Sequence, residues 1–252
     1  MQVAELLAFK VLLFIVHNDR ELYMIFVNYF DISKITIEQY KKFYFVASEE
    51  RQKKANRYKN LEDSKRCILA ESLLRYSLFQ IYPSKSEFVI SCNAYGKPYI
   101  EHIENFFYNI SHSGKWVVVA FGNSEVGVDV EKIGWNSSFD GILNKFYTKE
   151  ERRYISSLID ENEKAERFTK IWTLKESYIK FLGIGLSKGL SFFSIDGETE
   201  IVKDTRHQGI EHVKFKTYFL DGSYMLSVCS EEDAVQINEV SLSELKIIRN
   251  YK

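Results

Sequence analysis

The segment Val126-Gly127-Val128-Asp129-Val130-Glu131 alternates strictly between valine and other residues, which fixes a strand with two unlike faces. Val126, Val128 and Val130 point one way, into a core. Gly127, Asp129 and Glu131 point the other way. Two carboxylates held side by side repel unless a cation or solvent lies between them. Hard oxygen donors of this kind suit magnesium, which takes a few carboxylates together with phosphate oxygens and water. Gly127 beside them leaves room for a ligand. A solvated strand face explains the same pattern, because charged residues are mostly exposed.

A second constellation lies in Phe168 to Gly185. On a helical wheel Phe168, Ile171, Trp172, Ile179 and Leu182 share one arc, with Lys175 in its middle. A lysine on an apolar face needs a partner anion or must lose its charge. Glu176 and Lys180, four residues apart, are neighbours beside that arc. Gly183 and Gly185 end the helix. An amphipathic helix with a surface Glu-Lys pair and a snorkelling Lys175 is the plainer account.

Two cationic or polar stretches complete the set. Asn109 to Gly114 reads as a polar turn between strands, whose hydroxyls, imidazole and backbone N–H groups can donate to phosphate. Turn chemistry alone accounts for it equally. Arg51, Lys53, Lys54, Arg57, Lys59, Lys65 and Arg66 form a basic cluster, offset within that span only by Glu62 and Asp63; Gly96-Lys97-Pro98 adds a further cation in a turn. A solvated helix face fits this cluster too. Nucleic-acid binding does not suit it: the net charge is -1, and no aromatic platform accompanies the cluster.

Patterns along the chain set the fold class. Helices are expected over Ile37–Phe45, from the N-cap Ser48, over Leu61–Tyr82, Thr148–Ile159 and Ala165–Leu182. Strands are expected over Phe88–Ser91, Phe106–Ile110, Trp116–Phe121, Val126–Ile133, Phe192–Ile195, Lys214–Tyr218 and Tyr224–Cys229. Helices, strands, helices, strands describe an α+β chain of two similar-sized halves, 24–125 and 126–252, the second carrying a C-terminal tail. Residues 1–23 stand apart as an extension, with Met24 opening a fresh strand-like stretch. The apolar run Leu6–Val16 is broken by Lys10 and is shorter than the roughly 20 residues a bilayer span needs. Scattered Cys67, Cys92 and Cys229 carry no metal spacing and suit a reducing cytoplasm.

Order and spacing together are more specific than any one piece. Gly96-Lys97-Pro98, Asn109 to Ser113, Gly127-x-Asp129-x-Glu131 and Trp172-x-x-Lys175-Glu176-Ser177-x-x-Lys180-x-x-Gly183-x-Gly185-Leu186 resemble the 4'-phosphopantetheinyl transferases. The likeness is to the larger type that activates bacterial surfactin and gramicidin synthetases, and it runs from about Met24 to the C-terminus. It implies two similar α/β halves forming a pseudo-dimer, with coenzyme A in the cleft between them and an apo peptidyl or acyl carrier protein as partner. It implies magnesium on Asp129, Glu131 and Glu176, with Glu176 also a base for the carrier serine. Lys180 and Lys175 match positions that hold the diphosphate. His112 and Arg66 match contacts near the 3'-phosphate, with Arg51 and Lys54 nearby, and Lys97, Pro98 and Ser111 match further coenzyme contacts. Arg51 stands where the family often has lysine, and the extension before Met24 has no family counterpart. Glu151 falls at a family acidic position, yet Thr148-x-x-Glu151 is also a capping box.

The resemblance further implies a monomer that transfers the phosphopantetheine arm of coenzyme A, needing neither nucleic acid nor membrane. The segment Gly134 to Tyr147, with Trp135 and Phe139, is expected to contribute to carrier docking. Two other classes compete: a non-catalytic coenzyme A or nucleotide-binding module, and a metal-dependent phosphoesterase. The first has no need of the acidic residues, and the second has no need of a partner protein.

Overall fold

The computed structural model describes residues 24–250 apart from 84–87, 135–138, 186–189 and 205–211. The extension, Trp135 and Leu186 therefore lie outside the described residues. Strand β1 (Ile25–Asp31) is followed by α1 (Ile37–Val46), α2 (Glu49–Ala55) and the long α3 (Leu61–Ile81). Each helix starts on a side-chain cap, from Thr36, Ser48 and Asn60, so local sequence defines its entry. A small hairpin, β2 (Ile90–Cys92) and β3 (Pro98–Ile100), precedes β4 (Phe107–Ser113) and β5 (Trp116–Gly122).

The same order then recurs. Strand β6 (Val126–Lys132) leads to α4 (Phe139–Phe146), α5 (Lys149–Ser156) and the long α6 (Glu161–Leu182). A hairpin of β7 (Phe193–Ile195) and β8 (Val202–Asp204) precedes β9 (Lys214–Leu220) and β10 (Tyr224–Ser230). The sheets repeat as well: β1-β5-β4 in the first and β6-β10-β9 in the second. No repeat is visible in the residues themselves. It lies in connectivity, which side chains do not need to copy.

Three apolar layers hold these pieces. Leu69, Leu73 and Leu74 of α3 pack on Phe26, Phe30 and Val119. Val126, Val128 and Val130 meet Ile25, Val27, Val118 and Ala120, so the two sheets bury their inner faces on each other. Leu174, Tyr178 and Phe181 of α6 form the third layer with Phe193 and Phe215.

The boundary after residue 125 is crossed. Strand β11 (Val235–Glu239) pairs in parallel with β1, matching Ile25 with Val235 and Tyr29 with Glu239. Val240 and Leu245 then join the first half's core, Leu245 from the short helix α7 (Leu242–Leu245). The C-terminal tail thus belongs to the first sheet, not to the half that precedes it in sequence. No helix among the described residues is long and apolar enough to cross a membrane.

Candidate active site

The polar stretch expected to be a turn at Asn109 to Gly114 is largely the strand β4. Alternation then puts Asn109, Ser111 and Ser113 on one side, facing the edge of β6. Their oxygens accept from the β6 backbone: Val128 N–H donates to Asn109 Oδ1 at 3.1 Å, Val130 N–H to Ser111 Oγ at 3.3 Å and Lys132 N–H to Ser113 Oγ at 3.3 Å. Side chains replace a backbone ladder, and the two sheets join where the acidic strand begins.

Across this seam stands a carboxylate cluster. Lys180 Nζ donates to Asp129 Oδ1 at 2.7 Å, to Ser111 Oγ at 3.1 Å and to the Val128 carbonyl at 3.1 Å. Ser111 Oγ also donates to Asp129 Oδ1 at 2.8 Å, and Ser113 Oγ to Glu131 Oε2 at 2.8 Å. Asp129 Oδ2 and Glu176 Oε1 are buried with no hydrogen-bond partner. Burial first, and then the Asp129 charge, push the Glu176 carboxyl up to about 7; the same two causes raise Glu131. Gly127 makes room, but for α6 and not for a ligand: a Cβ there would sit 2.0 Å from the Ser177 carbonyl.

Asp129, Glu131, Glu176 and Lys180 line one end of a cavity of about 780 Å³. Arg51, Lys54, Arg75 and His112 line it as well, together with Ser111 and Pro98, and Phe88, Val89, Ile90 and Trp172 add apolar wall. It draws on both halves. His112 is depressed below its ordinary 6.5, by burial first and then by Arg66, Lys180 and Lys54.

Four expected site residues are placed otherwise. Lys175 is fully buried, and its ammonium donates to Glu151 Oε1 at 2.8 Å, to Oε2 at 2.9 Å and to the Phe193 carbonyl at 2.8 Å. It points to the core side of α6 and does not line the cavity, so it cannot reach a diphosphate there. Glu151 is its anion, and it closes the capping box by accepting the Thr148 N–H. Lys97 lies in an adjoining cavity of about 280 Å³ with Glu176 and Lys180, but its ammonium is bound to Glu125 and to the Phe181 carbonyl at 3.0 Å. Arg66 is held by Asp63 and the Gly114 carbonyl, outside the cavity lining. Phe139 is half-buried against Phe168, with ring centroids 4.6 Å apart, and is no exposed anchor.

Two family models divide the chain between them. The 4'-phosphopantetheinyl transferase superfamily model matches residues 125–232, and the 4'-phosphopantetheinyl transferase N-terminal model matches 35–124. The 4'-phosphopantetheinyl transferase Sfp of Bacillus subtilis (strain 168) is 34% identical over 200 residues, covering 77% of this chain and 86% of the relative. The 4'-phosphopantetheinyl transferase psf-1 of Bacillus pumilus is 35% identical over 79% of this chain and 83% of its own. The corresponding gsp of Aneurinibacillus migulanus is 33% identical over 79% and 82%. The chain belongs to the 4'-phosphopantetheinyl transferase family.

This transferase carries oxygen donors of the type a hard cation takes. Asp129, Glu131 and Glu176 are oxygen donors, and two of their buried oxygens lack a partner. No ready-made cluster of three or more acidic, histidine or cysteine side chains able to hold a metal ion is present among the described residues. Lys180 sits on Asp129 and supplies part of the positive charge such a site wants.

Sequence reading passed over Glu71 and Arg75. Both line the cavity from α3. Their i, i+4 spacing of opposite charges on one helix, among Leu73, Leu74 and Ala70, was the available signal.

Proposed function

We propose that this chain transfers the 4'-phosphopantetheine moiety of coenzyme A to a serine of an apo peptidyl or acyl carrier protein. The products are holo carrier protein and adenosine 3',5'-bisphosphate. The observation that carries this reading is the pair of unpartnered buried oxygens, Asp129 Oδ2 and Glu176 Oε1, beside Lys180 in a cavity that also has a cationic wall. Coenzyme A is long, anionic and bears phosphates at two places, which suits a cavity with a carboxylate–lysine end and an arginine-rich wall. The two halves are proposed as a pseudo-dimer with the active site in the cleft between them, working as a cytoplasmic monomer.

Magnesium would be held by Asp129, Glu131 and Glu176, and would neutralise diphosphate charge. Lys180 donates to the diphosphate and steadies charge on the leaving bisphosphate. Glu176, raised to about 7 by burial and the Asp129 charge, can take the proton of the serine hydroxyl near neutral pH. Serine oxygen bonds to the β-phosphorus as the diphosphate bond breaks, and no covalent enzyme intermediate is needed. Peptide-synthetase carriers are the proposed clients.

Mass spectrometry of an apo carrier protein incubated with enzyme, coenzyme A and magnesium tests this. A gain of one phosphopantetheine arm supports the transferase. Coenzyme cleavage with no gain on the carrier supports a phosphoesterase, and binding without either reaction supports a binding module.

A further inference from the structure

Glu71 is a buried carboxylate with an unusual audience. Its side chain is 1% exposed on α3, within a layer of leucines, and lines the main cavity. Oε1 accepts from the Ser48 N–H at 2.9 Å and from Arg75 Nε at 2.9 Å, with Arg75 Nη2 at 2.8 Å. Oε2 accepts from Ser48 Oγ at 2.7 Å and faces Arg51 Nε at 3.6 Å. Among the described residues, neither arginine has another ion-pair partner. Both arginine side chains remain about a quarter exposed, at 24% and 23%, and both residues line the cavity.

We infer that Glu71 is a positioning residue for the coenzyme, and that Arg75 joins Arg51 in receiving its phosphate monoester. This rests on the transferase reading above. The diphosphate must lie at the carboxylate–lysine end, because the bond that breaks is there. The coenzyme's other anionic group, a dianionic monoester on the ribose, is then left for the arginine-rich wall. Two adjacent guanidinium groups repel each other and carry large rotamer entropy when free. A buried carboxylate between them removes both costs and leaves one net positive charge. Through Ser48, which caps α2 by accepting the Arg51 N–H at 3.3 Å, the same carboxylate also sets the helix that carries Arg51 and Lys54. Arginine forks read phosphate by geometry, so their orientation decides affinity.

Calorimetric binding of coenzyme A and of dephospho-coenzyme A, which lacks the monoester, tests the inference with magnesium present and no carrier. The unaltered enzyme should prefer coenzyme A. Glu71→Gln should weaken coenzyme A by about tenfold, the loss expected for a charge-assisted contact. It should barely change dephospho-coenzyme A, and Glu71→Asp should recover part of the preference. In turnover, KM for coenzyme A should rise while kcat stays close to its original value. If Glu71→Gln does not fold, Arg75→Gln carries the test and should lose the same preference. Equal weakening of both coenzymes, or tighter binding of coenzyme A, overturns the positioning role. If the unaltered enzyme binds neither coenzyme, it is the transferase reading that fails.

Discussion

Helix α6 holds two lysines five residues apart, Lys175 and Lys180, and each meets a carboxylate. On the Glu151 side every demand is met. The carboxylate accepts from Lys175, from the Thr148 N–H at 2.8 Å and from the Ile195 N–H at 2.9 Å, while Lys175 also bonds the Phe193 carbonyl. Side-chain exposures of 0% and 1% leave no path for a ligand. On the Asp129 side, Lys180 is 27% exposed, one Asp129 oxygen is unpartnered, and Glu176 next door has another. The two pairs differ in leftover bonding capacity, not in residue type. A closed network is a strut between α5, α6 and β7, whereas an open one is a place where chemistry can be done.

Removing the open side should cost activity and little else. Asp129→Ala should abolish transfer of the pantetheine arm to apo carrier protein, with the circular dichroism spectrum unchanged. Full activity would end the metal assignment and make the two pairs equivalent. Glu176→Gln keeps shape and removes the proposed base, so kcat should fall on the order of 10² or more. A kcat within a few-fold of the original would leave the proton to another group.

Breaking the closed side should do the reverse. Lys175→Met strands Glu151 inside the protein, which costs about 3–5 kcal/mol. For a chain of this size that lowers Tm by about 10 °C. Lys180→Met, next to a cavity open to water, should shift Tm much less and lose far more turnover. Thermal denaturation of the two variants beside a transfer assay checks this. Equal losses of stability would show that both lysines are struts.

The contrast explains what could be read in advance. The strand at Val126–Glu131, the long helices, the caps at Ser48 and Thr148, and the placing of Glu176 and Lys180 on one side of their helix followed from local period and spacing, although Lys180 pairs with Asp129 and not with Glu176. Lys175 on the apolar arc was recognised as needing an anion, but its partner is 24 residues away in sequence, and a wheel drawn on one helix cannot show it. Asn109, Ser111 and Ser113 look like turn residues because their composition is polar. Their role as acceptors for another strand exists only once β4 and β6 are side by side. Strand β11 escaped for a similar reason: its parallel partner is at the other end of the chain. Gly127 was rightly seen as a gap, with the occupant misjudged, since helix approach is a long-range fact.

The smallest expected effect bears on the open side's cationic wall. His112 faces Arg66, Lys180 and Lys54, and burial with their charge holds its imidazole below the ordinary value. A histidine depressed in the folded state binds its proton more weakly there than in the unfolded chain. Its contribution to stability is therefore intact above about 6.5 and is lost as pH falls below that value. Coenzyme binding should reverse the sign of the local field, because phosphate brought against these cations favours imidazolium. Imidazole resonances followed between pH 5 and 8 should give a midpoint below 6.5 for the free enzyme and a higher one with coenzyme A. The closed Lys175–Glu151 pair offers no such response, since no anion can reach it. A midpoint that does not move on adding coenzyme A would mean that this wall does not meet phosphate, and the distinction between open and closed would then rest on Asp129 and Glu176 alone.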